Sequence, residues 1–475
     1  MFVGREEELG ALERMYEKDD FQMAVIYGRR RVGKTSLIDE FVKNKPVLYF
    51  TAQQKTSRQN LELFSAAVYD AFSLPGSLPA FATWNAALDF VVERVQAQDG
   101  ESPFVFVFDE FPYAAESDPS LPSVLQAAID HGFKQTRLRL ILCGSNESFM
   151  EGEVLGSKSP LYGRRTMQMR LLPFDYLDAA RMLPGVDPET LVAYYATFGG
   201  TPYYLSQVDA QKSYEQNVAE LLFDRLGMLC EEPLMLLRQE LNEPASYNSV
   251  LDAIGSGATA STRIAEKAGV NQNSVGKYLR TMANLGIVEK VAPLGGGTAS
   301  KSSIWRFKDP FFSYWYRFVS PYIGTIEEGN GQAVVPYATS GQAFETYVGK
   351  QFEAVCLQWL RRESKAGRTP FPVLEFGQWW GTDSKERETC DIDVVAANSI
   401  ERAVLLGECK WRNSFDESEA IQTLEERSDL LSGFTKRHFV LFSKKPASGG
   451  TVAKAKERDD LRLVSARDLY AELGY

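Results

Sequence analysis

Residues 22–27 make a short apolar run. Val25-Ile26-Tyr27 lead directly into Gly28-Arg29-Arg30-Arg31-Val32-Gly33-Lys34-Thr35, and residues 35–43 then carry a helical pattern. No other feature restricts the fold as tightly. The spacing G-x-x-x-x-G-K-[ST] between a strand and a helix requires a backbone that curls around an anion. Glycine at 28 and 33 lets the chain turn its N–H groups inward. Lys34 then reaches the outer phosphates of a nucleotide, and Thr35 offers a hydroxyl to Mg²⁺. The helix start, with Ser36 behind Thr35, adds its positive dipole end. We expect ATP and Mg²⁺ as the ligands.

The segments around the loop fit that demand. Residues 46–51, 104–108, 139–143 and 167–171 are apolar runs of strand length, and helical patterns such as 35–43 and 60–72 lie between them. Strands alternating with helices predict a parallel sheet covered on both faces. The run at 104–108 ends in Asp109-Glu110. An acid at that place holds Mg²⁺ through water, and the next one orients the attacking water. We assign Asp109 to the metal and Glu110 to the water. Gly144-Ser145-Asn146 end the following strand, so Ser145 or Asn146 is expected beside the acids. Tyr162-Gly163-Arg164-Arg165 offer a cation for the transition state, with Arg164 acting within the chain or across a subunit interface.

Taken together and in order, several motifs become specific. They are Phe2-Val3-Gly4-Arg5-Glu6-Glu7-Glu8-Leu9, the loop itself, Phe108-Asp109-Glu110-Phe111, Leu142-Cys143-Gly144-Ser145, Leu161-Tyr162-Gly163-Arg164 and Phe198-Gly199-Gly200-Thr201-Pro202-Tyr203-Tyr204-Leu205. The set resembles the archaeal-type ATPase family of P-loop proteins, which is related to signal-transduction and origin-recognition ATPases. The resemblance implies that Val3, Gly4, Arg5 and Pro202 flank the adenine and ribose.

Farther along, residues 261–268 and 271–285 read as a helix–turn–helix, followed by strands at 287–291 and 303–307 around a glycine-rich loop at 295–297. This is the pattern of a winged helix. Gln272, Asn273, Ser274, Lys277 and Arg280 fall on the second helix and suit phosphate or base-edge contacts. Lys301 and Arg306 sit in or after the wing.

The last part returns to α/β. A helix at 342–362 precedes strands near 373–377, 392–396, 403–408 and 438–443. Asp393 and Glu408-Cys409-Lys410 lie on what reads as a hairpin, and Glu408 and Lys410 share a face because side chains alternate along a strand. Two carboxylates and a lysine are the makings of a hydrolytic Mg²⁺ site. The pattern is similar to the PD-(D/E)XK nuclease superfamily, although Ile392 replaces the usual proline. The resemblance implies a further glutamate from the preceding helix, with Glu353 the first choice and Glu345 the second.

The expected fold class is α/β: a P-loop core (1–172), a helical lid (173–245), a winged-helix module (246–325), a linker (326–341) and a second α/β nuclease-like domain (342–475). The net charge of −11 argues against a protein that coats nucleic acid by charge alone. Five scattered cysteines and two distant histidines give no disulfide framework or zinc spacing. No run approaches the ~18 apolar residues of a membrane span. The function expected is that of a cytoplasmic, ATP-hydrolysing protein acting on double-stranded or structured DNA, with Mg²⁺-dependent nuclease chemistry and a capacity to self-associate. The alternative is a nucleotide-controlled regulator or signalling switch with a silent nuclease fold.

Overall fold

The computed structural model describes residues 2–97, 102–295, 302–382 and 388–475. The chain divides into two compact units, Met1–Pro173 and Phe174–Tyr475.

The first unit is built on five parallel strands. They are β1 (Gln22–Tyr27), β2 (Val47–Thr51), β3 (Phe104–Asp109), β4 (Leu138–Gly144) and β5 (Met167–Arg170), in the order β2-β3-β4-β1-β5. Every residue of β1, β3 and β4 is buried, as a sheet covered on both sides requires. Alternation sorts the side chains. Phe104, Phe106 and Phe108 of β3 join an aromatic core with Phe50, Phe64 and Trp84, whereas Val105 and Val107 pack on the opposite face with Ala24, Ile26, Leu37 and Phe41. Phe50 and Phe108 meet edge-on with ring centroids 5.0 Å apart. Each such pair adds about 1 kcal/mol to what burial alone provides. This parallel α/β sheet agrees with the expected fold class.

The second unit begins with helices at Tyr176–Arg181, Pro188–Phe198, Tyr214–Leu222 and Glu232–Glu240. Three more follow at Pro244–Gly255, Ser261–Ala268 and Gln272–Asn284, then an antiparallel pair, β6 (Val288–Val291) and β7 (Ile304–Phe307). Lys301 and most of the 295–297 loop lie outside the described residues. A 25-residue helix, Gly341–Lys365, leads to a mixed sheet of β8 (Glu375–Thr382), β9 (Thr389–Asn398), β10 (Ala403–Lys410), β11 (Lys436–Ser443) and β12 (Leu461–Ser465). Its order is β12-β11-β10-β9-β8, antiparallel on the β8 side and parallel on the β12 side.

One expectation needs correction here, and one strand adds to it. The segment expected to be a linker is folded: Ile323–Glu327 and Val335–Thr339 are short helices, and Ile326, Val335 and Ala338 are buried. Its glycines and polar residues mark the turns between these helices, while the sparse apolar ones anchor it. Strand β12 was not anticipated, because only its last two residues are buried and its sequence, Leu461-Arg462-Leu463-Val464-Ser465, is too short to stand out from its flanks.

One buried cation in the first unit serves the fold alone. Arg139 on β4 is fully buried, and its guanidinium donates to the carbonyls of Tyr16, Lys18 and Asp20. It thereby closes the turn between the helix Glu6–Tyr16 and β1. Arg139→Leu strands those carbonyls, so it should lower the unfolding free energy by about 3 kcal/mol in urea denaturation. Wild-type stability in that variant would show that the guanidinium is dispensable.

Candidate functional site

The loop 28–35 leaves β1 at its C-terminal end and enters the helix Lys34–Val42, which Gly33 caps with φ 90°. Gly28 is required by a close approach: a Cβ there would stand 2.4 Å from the Leu171 carbonyl oxygen. Arg31 also takes positive φ, 73°. Lys34 is buried, and its Nζ donates to the carbonyls of Gly28 (2.8 Å) and Arg29 (3.2 Å). A cation folded onto carbonyls that offer no net charge is poised to exchange them for phosphate oxygens. Val32 and Arg29 are buried, while Thr35 and Ser36 at the helix start are exposed. Arg30 donates to the hydroxyl of Tyr113 at 2.5 Å.

The acids expected opposite the loop face it. Asp109 ends β3, and its Oδ2 lies 3.5 Å from the Thr35 hydroxyl and 3.4 Å from the Tyr49 hydroxyl. The hydroxyl–carboxylate pair is the donor set that a water-bridged Mg²⁺ takes up beside a phosphate loop. Glu110 adopts φ 49°, a left-handed conformation that costs a non-glycine residue about 1–3 kcal/mol. The turn aims its carboxylate at Ser145, whose N–H and hydroxyl donate at 3.2 and 2.9 Å. Of the two residues proposed after β4, Ser145 therefore meets the acids. Asn146 instead caps the helical turn Glu147–Phe149 by accepting the Phe149 N–H. Burial and Asp109 together push the Tyr49 hydroxyl far above its ordinary pKa, so it remains a donor to that carboxylate.

Other sequence-predicted residues are placed differently. Arg164 lies at the amino end of the sheet: Thr166 pairs with Met23, and Asp130, near the end of the helix Leu121–His131, holds the Arg164 guanidinium through both oxygens. Five residues of β1 separate that level from Gly28, about 16 Å of extended chain. Arg164 is thus not assembled with its own phosphate loop. Arg5 is buried and clamps the loop from behind, donating to the Val32 carbonyl at 3.1 Å and the Leu172 carbonyl at 2.6 Å. Val3 and Gly4 are half-buried just before it. Pro202, in the second unit, is the first residue of the short helix Pro202–Leu205.

Sequence reasoning missed Tyr49, Tyr113 and the ion pair of Glu147 and Arg170 (2.6 Å). That pair spans the end of β1 from the strands on either side, since Arg170 is level with Tyr27. Only the strand order reveals it, and no local spacing signals strand order.

In the second unit, Gln272, Asn273, Lys277 and Arg280 are exposed on the helix Gln272–Asn284, and Ser274 is half-buried. Val275, Leu279 and Met282 anchor its other face. The carboxylates of the last sheet gather around β9 and β10. Asp393 accepts the Cys409 N–H at 2.8 Å, one step beyond the paired residues Val394 and Gly407. Burial, then Glu353 and Glu408, push the Asp393 carboxyl well above the usual range. Glu353 itself is raised by burial and held by Lys350 (2.7 Å) and Gln378 (2.8 Å). Glu345 pairs with Lys444.

The expected metal site needs a correction here. Glu408 is buried and bound by Lys410 on the same strand face, with Arg427 3.9 Å away. Among the described residues no three His, Cys, Asp or Glu side chains form a group able to hold a metal ion. With Glu408 paired to Lys410, Asp393, Glu408 and Glu353 are not gathered around an ion, and a metal would require Glu408 to exchange that lysine.

Comparison with known proteins bears on both ends of the chain. Residues 2–208 match a family model described as an ATPase domain predominantly from Archaea. Residues 315–421 match one described as archaeal and bacterial proteins of unknown function. An uncharacterized protein of Methanocaldococcus jannaschii is 28% identical over 473 residues, covering 98% of this chain and 100% of its own. An uncharacterized ATP-binding protein of the same organism is 51% identical over 47 residues, 10% of this chain and 80% of that protein. Similar solved structures include a Walker-type ATPase of Pyrococcus abyssi (TM-score 0.48, 18% identity, 66% of this chain and 96% of that one). The ORC2 protein of Aeropyrum pernix gives a TM-score of 0.41 at 14% identity, over 69% of this chain and 94% of that one. Among the described residues no helix is long and apolar enough to cross a membrane. The residues matched by the archaeal ATPase-domain model, 2–208, include the phosphate loop and its facing acids.

Proposed function

We propose that this protein binds and hydrolyses ATP at residues 28–36 and uses the nucleotide to govern action on DNA by its C-terminal half. The observation that carries the ATP reading is the convergence of Lys34, Thr35, Asp109, Glu110 and Ser145 at the C-terminal ends of three neighbouring strands. Lys34 trades its loop carbonyls for the β- and γ-phosphates. Glu110, steadied by Ser145, orients the attacking water toward the γ-phosphate. Mg²⁺, held through Thr35 and Asp109, would neutralise charge on the phosphates. With Arg164 held by Asp130 at the far end of the sheet, our reading keeps for it a role toward a second copy's nucleotide.

The DNA reading rests on the exposed row Gln272, Asn273, Lys277 and Arg280, backed by a buried apolar face. We take residues 246–325 as a winged-helix module and 342–475 as a nuclease-like domain. Asp393, Glu408, Glu353 and Lys410 supply the residue types of such a site, and cleavage requires Glu408 to release Lys410. The Glu408–Lys410 pair favours a second reading as well: a nucleotide-controlled DNA-binding switch in which the nuclease fold is silent.

Matched variants separate these readings. Wild-type protein should cleave DNA with Mg²⁺ and respond to ATP. Lys34→Ala should lower ATP hydrolysis by about 10²-fold or more and abolish the response to ATP. Lys410→Ala should lose cleavage and retain ATP hydrolysis. No scission by wild type under any condition, or scission unchanged in Lys410→Ala, leaves the switch reading. Lys277→Ala with Arg280→Ala should weaken DNA binding and flatten its salt dependence; an unchanged slope would remove that helix from the interface.

Asp393 makes a separate prediction with chelator present. Its folded pKa is raised, so between about 4, the ordinary aspartate value, and the raised value the native state holds a proton that the unfolded chain has lost. Stability therefore falls as pH rises through that window. Asp393→Asn should flatten the decline in melting temperature; parallel slopes in both proteins would show that Asp393 is not the group responsible.

A further inference from the structure

Strand β8 is irregular at one place. Its pairing with β9 shifts register between Gly377 and Trp379, which leaves Gln378 in a bulge. Bulges re-aim single residues, often beside functional sites. Here the freed backbone carbonyl of Gln378 accepts the Leu294 N–H at 2.8 Å, three residues past β6. The side chain is also shared between two elements. Its Oε1 accepts from Arg306 Nη1 of β7 at 2.5 Å, and its Nε2 donates to Glu353 Oε2 of the long helix at 2.8 Å. A guanidinium only donates and a carboxylate only accepts, so both ends of the amide are fixed. Arg306 is oriented in turn by Glu289 of β6, 2.8 Å from its Nε. Beside this hairpin, Trp380 Nε1 donates to the Ser302 carbonyl at 3.1 Å.

The result is a continuous polar line from Glu289 through Arg306 and Gln378 to Glu353, and Glu353 is the carboxylate whose charge raises Asp393 most, ahead of Glu408 and Asp391. The amide has a specific use there. A direct ion pair of Arg306 with Glu353 would spend both charges on each other. Gln378 between them fixes the position of Glu353 without a second cation, so that Lys350 alone is paired with it beside the carboxylate cluster. Arg306, about one-third exposed and paired with Glu289, can exchange that carboxylate for a phosphate, the anion that a guanidinium fork matches.

We propose that Gln378 is a positioning residue that couples the β6–β7 hairpin to the Asp393–Glu408–Glu353 cluster. A DNA phosphate engaging Arg306 draws on the bond to Gln378, and the change is felt at Glu353. This rests on the reading of the hairpin as DNA-facing and of the cluster as nuclease-like.

The test is hydrogen exchange on the full-length protein with and without duplex DNA, run beside a cleavage assay and a melting curve. In wild type, DNA should alter exchange in β7 and also in the turn of helix around Glu353. Gln378→Leu should still fold, with a somewhat lower melting temperature, and bind DNA with unchanged affinity, yet confine the response to the hairpin. Arg306→Gln, which cuts the line at its surface end without touching the bulge, should do the same to the helix response. Cleavage by Gln378→Leu should fall at least about tenfold, as for other groups that orient a reactive carboxylate. A helix response that survives in both variants, a wild type that binds DNA without one, or a wild type that binds no DNA overturns the coupling. A wild type with the helix response but no cleavage removes the nuclease reading and leaves the coupling standing.

Discussion

The ATP-binding end of the molecule depends on one close approach, the packing of Gly28 against the Leu171 carbonyl. Any side chain at 28 would push the loop away from β5, and the loop is positioned only because β1 runs between β4 and β5. From that placement the rest follows. A parallel sheet brings the C-terminal ends of its strands to one edge. Thr35 thus meets Asp109 from β3, and Glu110 meets Ser145 from the end of β4. The strained backbone of Glu110 marks where the fold gives up stability to aim a carboxylate. Arg5 completes the arrangement from behind, fixing the Val32 carbonyl and so the outward turn of the loop.

The second unit handles charge differently. The ATP site faces its acids with hydroxyls and backbone N–H groups, but the carboxylates around β9 and β10 are balanced by Lys350, Lys410 and Arg427. Asp393 takes a backbone N–H and stays raised. Three acids so close in a half-buried setting are costly. The local cations offset that cost while blocking the arrangement a metal would need. The bulge at Gln378 ties this balanced cluster to the β6–β7 hairpin through Glu353 and Arg306.

Much of the first unit was legible in the sequence because its signals are local. The phosphate loop, the acid pair after an apolar strand and the strand–helix alternation each fit within a dozen residues. Arg164 was not, because its motif says nothing of which end of the sheet it occupies; that depends on the pairing of Thr166 with Met23 across 143 residues. Tyr49 and the Glu147–Arg170 pair escaped for the same reason, being products of strand order. In the second unit the Glu408–Lys410 alternation was readable, since period two is local. Its consequence was not: the same alternation that sets lysine beside glutamate also lets it neutralise that glutamate. The folded segment 326–341 misled because its few apolar residues carry its packing, and composition averages them away. Gln378 had no sequence signal, because a bulge is a property of pairing.

The central claim is that Glu110, aimed by Ser145, makes this loop hydrolytic. It is tested most directly by single-turnover hydrolysis of radiolabelled ATP, wild type against Glu110→Gln, with nucleotide affinity measured in parallel. Both proteins should bind Mg²⁺-ATP equally, wild type should release phosphate, and Glu110→Gln should hold ATP intact. Equal hydrolysis by the two proteins, or none by a wild type that binds ATP, would contradict it.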